Sequence, residues 1–240
     1  MSKYIQNFKK FRPLLNELIM RDIKTKYRKS VLGVFWTILN PLFMMVVLSV
    51  VFSNMFKFDV EYFPVYLLSG QLIFNFFNEA TTNAMGAIVM NGPLIKKIYV
   101  PKYMFVLSRI FSSSINLLAS FTAMIFVMLA MRVELHYTVL LAPIPLLFIV
   151  FFSLGVGLIL SAITVKFRDI MHLYSVFVTA LMYLTPVIYP MSILPEWLKK
   201  IVLLNPLTNI LTMFRDVMIN NMLPSISSIL LAAVEVAVVM

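Results

Sequence analysis

The sequence lacks the residues on which several classes of protein depend. It contains no cysteine and only two histidines, which excludes disulfides and thiolate metal sites. Its six glycines never form the GxxxxGK[ST] pattern of a phosphate-binding loop, so the chain is not expected to hydrolyse ATP by itself. No serine lies in a nucleophile elbow, which argues against a hydrolase.

Long apolar runs are what the sequence has in abundance. Hydrophobic residues make up 61% of the chain and the mean hydropathy is +0.94. A helix needs roughly 20 apolar residues to cross a bilayer. We therefore predict an all-α integral membrane protein with six transmembrane helices and no separate soluble domain. The expected spans are residues 31 to 56, 63 to 90, 104 to 131, 139 to 164, 172 to 190, and a sixth from about 224 that we expect to continue beyond Met240.

Basic residues are concentrated in three places. Fifteen of the 20 Lys and Arg residues precede the first span or lie in or near the second-to-third and fourth-to-fifth connections, which this topology puts on one side. By the positive-inside rule, both termini are expected to be cytoplasmic. This excess lies next to the membrane, so it favours contact with anionic lipids over nucleic acid.

Residues 1 to 30 carry apolar side chains at steps of three and four, with basic residues mostly between them. This spacing predicts an amphipathic helix at the cytoplasmic interface, broken into two pieces at Arg12-Pro13. Two roles remain open for it, a basic anchor in the membrane surface and a helix that docks on another protein. The apolar positions are Tyr4, Phe8, Phe11, Leu15 and Leu18.

The connection at residues 91 to 103 is bounded by helix breakers and mixes apolar with basic residues. It predicts a short cytoplasmic helix. A simple positively charged turn would not need its apolar side chains, so the pattern favours docking into a groove on another protein.

Residues 191 to 223, between the fifth and sixth spans, contain two apolar segments that are each too short to cross the membrane. The first starts near Pro195-Glu196 and the second at Asn205-Pro206. We predict two short re-entrant helices in the outer leaflet. An ordinary loop with Trp197 as an interfacial anchor is the alternative.

One polar stripe interrupts the apolar spans. Glu79 lies midway along the second span with Asn75, Asn78 and Asn83 near it. A carboxylate in hydrocarbon is costly unless it faces a cavity or a partner, so the stripe favours an interior path, although helix contacts use the same amides. We expect Glu79 to be buried and unaccompanied by other catalytic groups, which argues against a membrane-embedded transferase.

Several segments together resemble a known family. They are Ser30 to Trp36 with Asn40-Pro41, Leu94 to Pro101, Phe167-Arg168-Asp169, Thr185 to Tyr189, and Asn205-Pro206. In order and spacing, they resemble the permease subunit of ABC-2 type exporters of lipid-linked polysaccharides such as O-antigen, capsule and teichoic acid. The resemblance covers nearly the whole chain, which we take as a single domain of residues 1 to 240.

The resemblance implies a homodimer of permeases with two copies of a separate ATPase, in the bacterial cytoplasmic membrane. ATP and Mg would be held by the ATPase, leaving this chain without a cofactor or catalytic residue. An ABC-2 exporter of drugs or small lipids is the alternative, and a structural scaffold would leave residues 91 to 103 unexplained.

The resemblance also implies roles for three groups of residues. ATPase coupling would involve Leu94, Ile95, Lys96, Lys97, Ile98, Tyr99, Pro101, Arg168 and Asp169. The channel lining would include Phe35, Trp36, Phe43, Asn75, Asn78, Glu79 and Tyr183. The outer gate would include Pro186, Tyr189, Trp197, Asn205 and Pro206.

Overall fold

The computed structural model describes residues 3–28, 30, 32–56 and 62–240, and within these ranges it contains ten α-helices and no strand. The all-helical prediction is confirmed for this part of the chain. The helices are α1 Lys3–Tyr27, α2 Trp36–Phe56, α3 Phe63–Met90, α4 Gly92–Ile95, α5 Tyr103–Ala130, α6 Pro143–Lys166, α7 Ile170–Tyr183, α8 Glu196–Leu203, α9 Pro206–Met218 and α10 Ile226–Val239.

The predicted spans agree best with the long helices. The second and third match α3 and α5 within one residue, and the fourth matches α6 together with the 3-10 turn before it. In the described ranges, the stretches Tyr103–Ala130 and Tyr137–Lys166 are long and apolar enough to cross a membrane, and three shorter apolar helices accompany them. These features are consistent with a helical membrane protein, and the six-span count stays a prediction.

Two predicted spans were too long. The first begins as a single 3-10 turn at Gly33–Phe35 and becomes α-helical only at Trp36, while its outer connection at residues 57 to 61 lies outside the described residues. The fifth ends at Tyr183 rather than at residue 190. Residues 184 to 190 form turns because prolines interrupt the helix there and a buried arginine binds their carbonyl groups.

The core forms around α3, which packs mainly against α5 and α6. Small residues permit this close contact. A Cβ added to Gly157 of α6 would lie 2.8 Å from the Cβ of Ala84 on α3, closer than real Cβ contacts allow. Small residues at helix contacts are the common means of packing helices closely in membranes.

Helix α1 corrects a prediction. It runs unbroken from Lys3 to Tyr27 with Pro13 inside it, so the expected break at Arg12-Pro13 is wrong. Its side chains Leu15 and Leu18 are almost fully buried against the helical core, with α5 as the main neighbour of α1. Burial of this face compensates for the loss of one backbone hydrogen bond at the proline.

The connections gather at two ends of the helical body. A Cβ on Gly86 would lie 3.4 Å from the Cε of Met171, so the start of α7 lies beside the end of α3. We call residues 91–102 and 166–169 the basic end. Residues 184–223 form the opposite end, where the Thr138 hydroxyl also donates to the Val217 carbonyl at 2.9 Å.

Candidate functional site

A cavity of about 750 Å³ lies between α2, α3 and α5, with the end of α1 at its edge. Its polar wall is one face of α3, where polar side chains recur at steps of three and four. These residues are Gln71, Asn75, Asn78 and Glu79. Because this spacing returns to the same side of a helix, the stripe seen in the sequence becomes a continuous polar surface.

Glu79 is held by two partners at this wall. The Lys26 Nζ lies 2.7 Å from the Glu79 Oε1, and the Asn116 side-chain amide donates to the same oxygen at 2.7 Å. The expectation that Glu79 is buried is therefore wrong, since its side chain is one third exposed and joins α1, α3 and α5. No pattern in the sequence linked Lys26, 53 residues away, to this position.

A second cavity of about 660 Å³ shares Lys26, Glu79, Ser113 and Asn116 with the first. It extends toward the basic end, where it meets a cluster that sequence reasoning missed. Asp22 forms an ion pair with Arg109 at 3.3 Å, and Arg21 donates to the Asn91 side-chain oxygen at 3.1 Å.

This cluster fixes the second half of α1 to α3 and α5. The Asp22 side chain is only 7% exposed, so its pairing with Arg109 matters more than that of a surface pair. A signal for it existed in the sequence, since Arg109 lies in an apolar span and Asp22 is an acid within a basic segment.

The predicted channel residues divide into two sets. Trp36, Asn75, Asn78 and Glu79 all line the first cavity. The side chains of three others are largely exposed on the surface of the single chain and do not line either cavity: Phe35, Phe43 and Tyr183. Their role in a channel stays a prediction.

The predicted coupling residues lie at the basic end, but the helix among them is a single turn, Gly92–Ile95. Leu94 and Ile95 pack against the core, and Pro101 follows the buried Val100. Residues 96 to 99, between these buried positions, project outward, and Tyr99 is 90% exposed. Two further coupling residues are exposed in the connection before α7. The exposed members are Lys96, Lys97, Ile98, Tyr99, Arg168 and Asp169.

Arg215, on α9, organises the opposite end. Its guanidinium donates to the Pro186 carbonyl at 2.7 Å and to the Val187 carbonyl at 3.1 Å, both in the turn after α7. It also donates to the Ser69 hydroxyl at 3.0 Å and to the Tyr66 carbonyl at 3.1 Å, both on α3. It lies 3.5 Å from the centre of the Tyr66 ring, within range of a cation–π interaction.

Arg215 lies at the end opposite the basic loops, and its side chain is enclosed, with only 5% exposed. It forms no salt bridge with the residues that the structure describes. Carbonyl oxygens and an aromatic ring surround the charge instead, which satisfies its fixed array of donors.

The predicted gate residues lie at the same end of the molecule as this arginine. The Tyr189 hydroxyl donates to the Tyr183 carbonyl at 2.6 Å. The Asn205 side chain caps α9 by accepting from the Leu207 amide at 3.1 Å, and it donates to the Thr185 hydroxyl at 2.8 Å. Pro206 begins α9, the Pro186 carbonyl binds Arg215, and Trp197 is exposed on α8. The two short helices are present, and their re-entrant placement stays a prediction.

Comparison with protein families places these regions in a known architecture. Residues 13–219 match the family described as ABC-2 type transporter, a range that includes both cavities, the basic end and Arg215. The chain belongs to the ABC-2 type transporter family. As a permease of that family it has no catalytic activity of its own, and an ABC permease implies an ATPase partner.

Curated relatives extend this ABC-2 assignment over nearly the full chain. The O-antigen export system permease protein RfbA of Myxococcus xanthus is 30% identical over 98% of this chain and 92% of its own length. The polysialic acid transport protein KpsM of Escherichia coli is 24% identical over 83% of this chain and 78% of its own. The capsule polysaccharide export inner-membrane protein CtrC of Neisseria meningitidis serogroup A is 24% identical over 84% of this chain and 77% of its own length.

Proposed function

We propose that this ABC-2 permease exports a lipid-linked polysaccharide across the bacterial inner membrane, driven by ATP hydrolysis on a separate ATPase subunit. The similarity to RfbA over 98% of the chain carries the proposal, because that relative is named for O-antigen export. The capsule-export names of the other relatives support the same class of substrate. The polar cavities add physical support, since polar side chains that line a cavity within an apolar helical body are typical of a path for a polar molecule.

The basic end is the proposed docking site for the ATPase. Leu94 and Ile95 fix the loop to the core while Lys96, Lys97 and Tyr99 project from it. An anchored loop transmits a push from its exposed tip to α3 and α5, between which it lies. The exposed loop would move when the ATPase binds ATP and changes conformation. The exposed Arg168 and Asp169 would enlarge this contact surface.

The opposite end is the proposed outer gate. Arg215 joins α9, the start of α3 and the turn after α7, so these elements would move as one unit. Opening would then separate this unit from that of a second permease across a dimer axis. The gate, the dimer with two ATPase copies, and cytoplasmic termini are all parts of the proposal.

The test is transport of lipid-linked glycan into inverted membrane vesicles by this chain, with and without its ATPase. We expect ATP-dependent movement only when both are present. A stable complex that hydrolyses ATP without moving glycan would favour an exporter of drugs or small lipids. Failure of the chain to associate with any ATPase would contradict the ABC assignment of its role.

Reversing the charge of the exposed loop provides a sharper test of coupling. We expect Lys96→Glu with Lys97→Glu to reduce export about tenfold or more, because two like charges would change at a single contact surface. Insertion and yield should match the parent, since both side chains are exposed. The matched control is Lys199→Glu with Lys200→Glu at the opposite end, which should leave ATPase binding intact. Unchanged export by the loop variant would contradict the docking role.

A further inference from the structure

The first cavity has the chemistry of a carbohydrate site rather than of a lipid or phosphate site. Its wall presents the side-chain amides of Gln71, Asn75 and Asn78. Amide groups facing acyl chains would be left without hydrogen-bond partners, which costs several kcal/mol each. The space therefore suits water or a ligand rich in hydroxyl groups.

The charges of this cavity cancel each other. Among the lining residues that the structure describes, Lys26 is the single cation and Glu79 the single anion, and their atoms lie 2.7 Å apart. A phosphate or pyrophosphate group binds where cations or helix N-termini exceed the negative charge. This balanced pair instead offers both an acceptor and donors, which match a neutral hydroxyl group that can donate and accept at once.

A further feature favours a sugar. Trp36 lines the same cavity and is 45% exposed, so its ring face is available to the C–H face of a pyranose.

We infer that the cavity between α2, α3 and α5 is a binding subsite for neutral sugar units of the exported glycan. The cavity volume of about 750 Å³ is within the range of small-molecule sites, so the cavity would hold a few sugar units of the glycan. The paired charges of Lys26 and Glu79 disfavour an acidic sugar or the phosphate of the carrier. This inference rests on the proposed export function and specifies the chemistry of one of its sites.

Because the chain has no cysteine, a single introduced thiol reports on this site alone. Ser120 lines the cavity, whereas the Glu134 side chain is 86% exposed in the connection between α5 and α6. We would prepare Ser120→Cys and Glu134→Cys in the complex with the ATPase, in lipid nanodiscs. The readout is the rate of labelling by a membrane-impermeant methanethiosulfonate reagent.

Three probes distinguish the possible ligands. They are the glycan that accumulates in a deletion strain, released from its lipid by mild acid, and two anions, hexagalacturonic acid and inorganic pyrophosphate. At about four times its dissociation constant, the released glycan should slow labelling of Ser120→Cys about fivefold, by mass action. The anions should have little effect, and labelling of Glu134→Cys should not respond to any probe.

A second substitution tests the amide wall. Adding Asn75→Ala should remove the protection by glycan while leaving the thiol reactive, whereas adding Thr122→Ala should preserve it, because Thr122 does not line the cavity. Retained protection in the Asn75→Ala background would overturn the role of the wall.

Each remaining outcome is decisive. The inference would be overturned if the released glycan gave no protection or if the anions alone protected the thiol. It would also be overturned if the protecting glycan were anionic, or if water-soluble reagents did not reach a thiol at position 120. Export measured in parallel separates the two proposals. Export by the parent complex without protection would remove only the subsite, whereas absence of ATP-dependent export would remove the proposed function itself.

Discussion

Arg215 and the Lys26–Glu79 pair both lie within the apolar body of this permease, but their surroundings are opposite in kind. Arg215 is fully enclosed, and uncharged oxygens from three segments surround it. The Lys26–Glu79 pair is one third to one half exposed and lies at the boundary of two cavities. Full enclosure makes Arg215 a structural clamp, whereas partial exposure leaves the pair accessible to a ligand.

The two groups should contribute differently to the free energy of unfolding, because water reaches the Lys26–Glu79 pair but not Arg215. An enclosed cation whose partners are backbone carbonyls leaves several of them unsatisfied when it is removed, and each buried orphan costs about 1–3 kcal/mol. A partly exposed pair can replace its partner by water, so its net contribution is about 0–1 kcal/mol. The comparison therefore predicts large effects on stability at one end of the molecule and small ones in the cavity.

Removal of the clamp should have the largest effect. Arg215→Met retains much of the side-chain volume but loses every donor to Ser69, Pro186 and Val187. We expect a loss of about 3–5 kcal/mol, comparable to breaking other buried charged networks, seen as a fall of roughly 10 °C or more in the unfolding temperature in detergent. Arg132→Met at an exposed turn is the control, and equal stability of the two variants would contradict the clamp.

A tight contact beside the clamp should have an intermediate effect. A Cβ at Gly70 would lie 2.6 Å from the Val187 carbonyl oxygen and 2.9 Å from a guanidinium nitrogen of Arg215. Gly70→Ala should therefore destabilise the protein by about 1–3 kcal/mol through overpacking. Gly92→Ala, where nothing lies within 4 Å of the added methyl, should unfold at the parent temperature. A Gly70→Ala variant as stable as Gly92→Ala would show that the contact can relax freely.

The cavity pair should have the smallest effect on stability. Glu79→Gln keeps the shape of the side chain and its contact with Asn116 while removing the charge opposite Lys26. We expect a change of about 0–1 kcal/mol, close to that of Glu196→Gln, whose carboxylate is 83% exposed. A loss as large as that of Arg215→Met would mean that the pair is structural and would reverse the comparison.

Local patterns account for the parts of the fold that were predicted well. The boundaries of α3 and α5 came from apolar length and flanking prolines or turns, and the starts of α8 and α9 came from Pro195-Glu196 and Asn205-Pro206. Each depends on residues within a few positions of one another, so the signal is present in the chain itself. The polar stripe of Asn75, Asn78 and Glu79 was visible for the same reason.

Predictions failed where a distant contact overrode a local preference. Pro13 favours a break, yet burial of Leu15 and Leu18 keeps α1 continuous. The apolar run to residue 190 led us to expect a longer helix, yet Pro186 interrupts it and Arg215 binds carbonyl groups of the turn after α7. The free energy of these tertiary contacts exceeds the free energy of the local conformational preference, as it does in many proteins.

The sequence by itself determined most helical segments, the grouping of basic residues, the polar stripe on α3 and the likeness to ABC-2 permeases. Each of these depends on the composition and order of residues that are close together in the chain. Only the tertiary structure decided which charges meet. Lys26 and Glu79 are 53 residues apart, and Arg215 reaches Ser69 across 146. Such pairs are set by how the helices pack, and no local preference links residues so far apart in the chain.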